Sequence, residues 1–202
     1  MKKTISRSII KILALGLLIA LFSATLISCE ARKLGFGSQT ITDPAEYGNF
    51  GVIDAPVFFP KSIDGCKVNS YSYILRLYLE TCYEIFLDLT VSADKLDSLV
   101  ASAKIAGGFK YEREAYYAAG YRELVFCDYY EPGTQNDDGN NQVGYAWIEK
   151  VIFNPDTGNI IYVSFIANDW SVYSLSEVEY FKKFGIKEAE YTEHTEEDMF
   201  GV

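Results

Sequence analysis

The sequence predicts an α+β domain built on one antiparallel sheet of about five strands with two packed helices. Two observations carry that expectation. Hydrophobicity alternates with period two from Tyr71 to Val91, and two later strand-like runs flank an Asn-Pro-Asp-Thr-Gly-Asn turn. Helix-period segments lie between and after these strands rather than alternating with them, which favours a meandering antiparallel sheet over a parallel one. The chain has 202 residues, 49% hydrophobic and 23% charged, enough apolar surface for one globular domain.

Taken in order, Glu30 to Thr40 lacks an apolar period and reads as a tether. Asp43-Pro44 joins an N-cap residue to a first-turn proline, so a short helical turn is expected there. Pro56 and Pro60 bracket Val57-Phe58-Phe59, an extended apolar piece suited to an edge strand or a buried arm. The alternating stretch from Tyr71 is too long for a single strand and is broken into a hairpin near Glu80-Thr81-Cys82. Ser92 then caps a helix to about Ala106, with Leu96, Leu99, Val100 and Ala103 on one face and Gly107-Gly108 as its stop.

Residues 109–121 fit a helix or the approach to a strand. Glu123 to Tyr130, Val143 to Phe153 and Ile160 to Ala167 read as strands. Ser174-Leu175-Ser176-Glu177 has the form of a capping box, predicting a helix through Phe184 with Gly185 as its end. The domain is therefore expected over residues 41–186. Residues 187–202, with six acids and one lysine, are expected to form an acidic disordered tail.

The N-terminus carries the sharpest motif. Lys2, Lys3, Arg7 and Lys11 precede an uncharged apolar run from Ile12 to Ile27, short for a permanent membrane span and suited to a signal peptide. The run ends in Leu26-Ile27-Ser28-Cys29. The pattern resembles the lipobox of bacterial lipoproteins, and the layout of short tether plus one domain resembles small lipoproteins of Gram-positive bacteria. The resemblance implies a signal peptide over 1–28, cleavage after Ser28, a diacylglyceryl group on Cys29 and a tether over 29–40. It also implies attachment to the extracytoplasmic face of the cell membrane, for which two acyl chains suffice.

Charge and cysteine usage narrow the rest. The whole chain has net charge −10, but four of its 18 basic residues lie in the signal segment. The part from Cys29 onward therefore sets 14 basic against 28 acidic residues, a net −14. That balance argues against a nucleic-acid partner, which requires clustered Lys and Arg. With Cys29 assigned to lipid, Cys66, Cys82 and Cys127 allow either one disulfide or three free thiols.

Chemical motifs are scarce. The single histidine, His194, falls in the acidic tail, and the cysteines lack the spacing of a zinc site, so no metal, cofactor or catalytic residue is expected. The loop around Asn136-Asp137-Asp138-Gly139 resembles a calcium loop only in part. With Gly139 at its sixth position, Thr134, Asn136 and Asp138 take the first, third and fifth, but Tyr145 stands where the bidentate acid belongs. None of Asp128, Glu131 and Glu149 is singled out as half of a hydrolytic carboxylate pair.

Tyr145, Trp147, Tyr162 and Trp170 form a candidate binding surface, because Tyr and Trp join an apolar body to a polar tip. The functional expectation is a membrane-anchored, non-enzymatic domain that binds a protein or a cell-envelope component. The alternatives are an envelope hydrolase using paired carboxylates and an inhibitor of a cationic enzyme such as lysozyme.

Overall fold

The computed structural model describes residues 37–50, 53–77, 81–131, 133, 144–168 and 175–191. The signal segment, Ser28, Cys29, the loop 134–143, Trp170, Ser174 and His194 lie outside the described residues. The chain divides after Gly37, and the sheet belongs to the second unit, Ser38–Val202, with Gly37 as the first residue of its first strand.

Seven strands make one sheet in the order β1-β2-β3-β7-β6-β5-β4. They are β1 (Gly37–Ile41), β2 (Lys67–Leu77), β3 (Thr81–Thr90), β4 (Tyr111–Glu114), β5 (Arg122–Glu131), β6 (Tyr145–Asn154) and β7 (Asn159–Asn168). The pairs β2–β3, β3–β7, β7–β6, β6–β5 and β5–β4 are all antiparallel. Helix α1 spans Ala93–Ile105 and helix α2 spans Glu179–Phe184. The class is the expected one, with seven strands where about five were expected.

The two additional strands, β1 and β4, are the two edges of the sheet. The first four residues of β1 are exposed, and none of β4 is buried. An edge strand held mainly by backbone hydrogen bonds has no need of an alternating apolar pattern, so periodicity does not reveal it. The tether expected over 29–40 is accordingly corrected: residues 37–40 belong to β1.

Both faces of the sheet are covered, and parity assigns each side chain to one of them. Ile85, Leu87 and Leu89 of β3, Ile160 and Tyr162 of β7 and Val151 and Phe153 of β6 pack beneath α1 and the arm carrying Phe58 and Phe59. The helix contributes Leu96, Leu99 and Ala103. The segment between the prolines is not extended as expected but turns, with the Phe59 amide donating to the Pro56 carbonyl at 2.9 Å; Val57 is exposed, while Phe58 and Phe59 are buried and Phe58 stacks on Phe126 at 4.2 Å between ring centroids. The opposite face carries Phe86, Ile148, Ile152, Ile161, Val163 and Phe165 against Val178, Tyr180, Phe181, Ile186 and Tyr191 of the C-terminal segment.

Local signals explain most element ends. Asp43 accepts a hydrogen bond from the Ala45 amide at 2.9 Å and opens a short 3-10 turn at Pro44–Glu46. The Asn154 side chain accepts from the amides of Asp156 and Thr157 in the β6–β7 turn. Gly185 closes α2 in the left-handed conformation, as Gly does at helix ends.

Two further expectations are corrected. The helix expected from the capping box is split: a 3-10 turn spans Leu175–Glu177, and α2 begins only after Val178, whose side chain is fully buried. The tail expected to be solvated from residue 187 instead continues as a helical turn over 188–191, where Tyr191 is buried against Phe181 and Tyr130. Burial of that aromatic ring outweighs the local acidity, because Glu188 and Glu190 remain exposed beside it.

Candidate functional site

The cover formed by α1 and the arm does not extend over the whole of its face. Beyond it, side chains from four strands lie open or half open: Tyr83 from β3, Cys127 and Tyr129 from β5, Tyr145, Trp147 and Glu149 from β6, and Ile166 from β7. Register places them together. Tyr129 stands opposite Trp147, Cys127 opposite Glu149, and Trp147 opposite Ile166. The Tyr129 and Tyr145 rings lie 5.8 Å apart, and Trp147 is 40% exposed. A groove of about 370 Å³ runs along this aromatic strip, lined by Lys110, Tyr111, Cys127, Tyr129 and Trp147 among others.

One carboxylate is fixed within the strip. Ser164 holds its hydroxyl 3.2 Å from Glu149 Oε1 and 3.4 Å from the Tyr83 hydroxyl, and the Trp147 indole N–H bonds to the same carboxylate. Burial raises the pKa of Glu149 and of the neighbouring Cys127 thiol. The site thus offers flat aromatic faces, phenolic hydroxyls and one positioned acid, a combination that can stack on and hydrogen-bond a ligand with mixed apolar and polar edges.

A second cluster lies on the opposite face, under the C-terminal segment. The β5 ladder is interrupted by a bulge between Val125 and Cys127. Glu123 and Asp128 are an odd number of residues apart and would face opposite sides of a regular strand; the extra residue brings both to one side. There they meet Lys150, which stands opposite Val125. Lys150 Nζ is 2.8 Å from Asp128 Oδ2 and 3.5 Å from Glu123 Oε2, and Arg113 Nη2 is 2.8 Å from the same Asp128 oxygen. Arg113 also pairs with Glu123, which accepts a further hydrogen bond from the Tyr117 hydroxyl.

The side chains of Lys150 and Glu123 have no exposure, and rings of Tyr117, Tyr180 and Tyr191 lie 5.4–5.8 Å from Nζ. Burial opposes ionisation of Glu123, but the charges of Lys150 and Arg113 prevail and hold its carboxyl below the usual range; burial raises that of Asp128. Charge is balanced, with two cations and two anions.

The predicted surface residues are only partly brought together. Tyr145 and Trp147 share the open strip. Tyr162 is on the same face but 1% exposed, packed under Phe59 at 5.4 Å between ring centroids, and is corrected to a core residue. Its parity in β7 is that of Ile160, directly beneath the arm. Tyr83, Tyr129 and Glu149 complete the strip without having been predicted for it; strand parity would have found Tyr129 and Glu149 once the β5–β6 register was known.

The three acids considered for hydrolysis are dispersed. Asp128 is in the buried cluster, Glu131 is exposed and accepts from the Tyr129 hydroxyl, and Glu149 lies in the strip. Cys66, Cys82 and Cys127 are free thiols. Among the described residues, no three His, Cys, Asp or Glu side chains are placed to hold a metal ion. No family model, no curated protein and no solved structure matches the chain.

Proposed function

We propose that the chain is a lipid-anchored, extracytoplasmic binding domain, non-enzymatic, whose ligand is a cell-envelope glycan taken up on the open aromatic strip. The observation that carries the reading is the cross-strand set of half-buried Tyr129 and Tyr145 with exposed Trp147, which among the described residues lies beyond the cover of α1 and the arm, with Glu149 fixed beside it. The C–H faces of a sugar ring stack on such rings, while its hydroxyls donate to a carboxylate. The anchor rests on the sequence motif ending at Cys29.

Each part has its own test. Wild-type chain expressed in a bacterial host should incorporate labelled palmitate, and Cys29→Ala should not; equal labelling of the two overturns the anchor. For the ligand, the full chain in detergent is sedimented with purified, insoluble cell-wall polysaccharide. Trp147→Ala should lower the bound fraction about tenfold, in keeping with the loss of one buried aromatic anchor. Binding unchanged by Trp147→Ala and Tyr129→Ala, or no binding by the wild type, overturns the glycan reading.

A further inference from the structure

We propose that Lys150 and Asp128 condense into an intramolecular amide bond that ties β5 to β6, with Glu123 as the proton-transfer group. The two side chains come from neighbouring strands and meet because the β5 bulge turns Asp128 toward Lys150. Nζ stands 2.8 Å from Asp128 Oδ2. Lys150 Nζ and Asp128 Oδ1 are both buried, and beyond this ion-pair contact neither has a hydrogen-bond partner. An ion pair so far removed from water, with one carboxylate oxygen left unpaired, costs free energy to desolvate as long as both groups stay charged.

The surroundings suit condensation. In bulk water an amine and a carboxylic acid do not join, because water is in vast excess and both groups are ionised. Here the Tyr117, Tyr180 and Tyr191 rings enclose Nζ, and the Lys150 side chain has no exposure. Fixed proximity replaces a bimolecular encounter, and water is kept out. Moving one proton from the Lys150 ammonium to the Asp128 carboxylate reduces the charges of the cluster from four to two and leaves the half-buried Arg113 and the buried Glu123 as an intact ion pair. The raised pKa of Asp128 and the lowered one of Glu123 run in the directions this requires.

Atoms and charge balance across the step. The lone pair of the neutral Lys150 amine attacks Asp128 Cγ and forms the N–C bond. Negative charge develops on Oδ2, where Arg113 Nη2 lies 2.8 Å away. The Glu123 carboxylate, 3.5 Å from Nζ, takes a proton from the nitrogen and delivers it to the departing hydroxyl. The C–OH bond breaks, one water leaves, Glu123 is again a carboxylate, and no oxidant or cofactor is consumed.

Trypsin provides a direct test on the folded full chain after denaturation. No Lys or Arg lies between Arg122 and Lys150, so Asp128 and Lys150 share the tryptic peptide 123–150, and the next cleavage site is Lys182. With the amide formed, trypsin cannot cut after Lys150, and a peptide 123–182 appears with the mass of its sequence less one water. Dehydration at Asp138-Gly139 also removes one water but leaves Lys150 cleavable. Asp128→Ala and Glu123→Gln should each restore the 123–150 peptide at full mass. A wild-type chain yielding that peptide at full mass overturns the proposal, and this measurement does not depend on the variants folding.

Discussion

Gly158 sits where the β6–β7 turn presses against the residue after β3. Its carbonyl accepts from the Val91 amide at 2.9 Å, its φ is +69°, and an added Cβ would lie 2.2 Å from the Val91 carbonyl oxygen. Left-handed backbone and steric overlap act together there, so Gly158→Ala should cost about 3 kcal/mol in urea unfolding. Glu84 is the other single residue whose chemistry reaches the whole fold. It is fully buried on β3 and accepts from the Ser72 hydroxyl and the Glu179 amide, while its second oxygen has no partner. Burial raises its pKa from 4.5 to about 7. Since the folded value is the higher one, the contribution to stability is complete below the unfolded pKa and is lost as pH rises through about 7. Glu84→Gln should match the wild type near pH 4.5 and exceed it by up to about 3 kcal/mol above pH 7; a gap that does not vary with pH contradicts this.

Among the elements, the C-terminal segment matters most for the buried charges. Tyr191 packs on Phe181 and Tyr130 and contributes one wall of the pocket around Lys150. Tyr191→Ala should destabilise the fold by about 3 kcal/mol, while a change at the exposed Lys187 or Glu190 should stay within about 0.5 kcal/mol. Urea midpoints of the three variants decide it. The same segment shows what sequence patterning conveys and what it does not. The interior strands β3, β6 and β7 were readable because burial imposes apolar patterning, and α1 because Leu96, Leu99 and Ala103 fall at helical spacing. The edges β1 and β4 carry no such imprint, and six acids masked the one tyrosine that anchors residues 188–191. The strip was half readable. Tyr145 and Trp147 stand out by type, but whether a sheet face is covered depends on what packs above it, which no local pattern records. The bulge in β5 is silent for the same reason: one residue out of step changes every parity after it, and no Gly or Pro marks the place.

The strand order has a consequence for how the molecule comes into being. Strands β2 and β3 form one hairpin, and β4 to β7 form a run of neighbours in both sequence and space. Among the described strands the two groups pair with each other through the β3–β7 ladder, as between Ile85 and Ser164. A chain made from its N-terminus therefore completes β3, apolar on one side along Ile85, Leu87 and Leu89, long before its second neighbour exists. Until Asn159 to Asn168 arrives, the future centre of the sheet is a bare edge, open to pairing with another copy. Polar residues on that strand reduce the hazard: Glu84 and Asp88 point to the face later closed by the C-terminal segment, and charge resists pairing with an identical strand. In the finished fold those two acids are buried. While the chain is still being made, they keep β3 soluble.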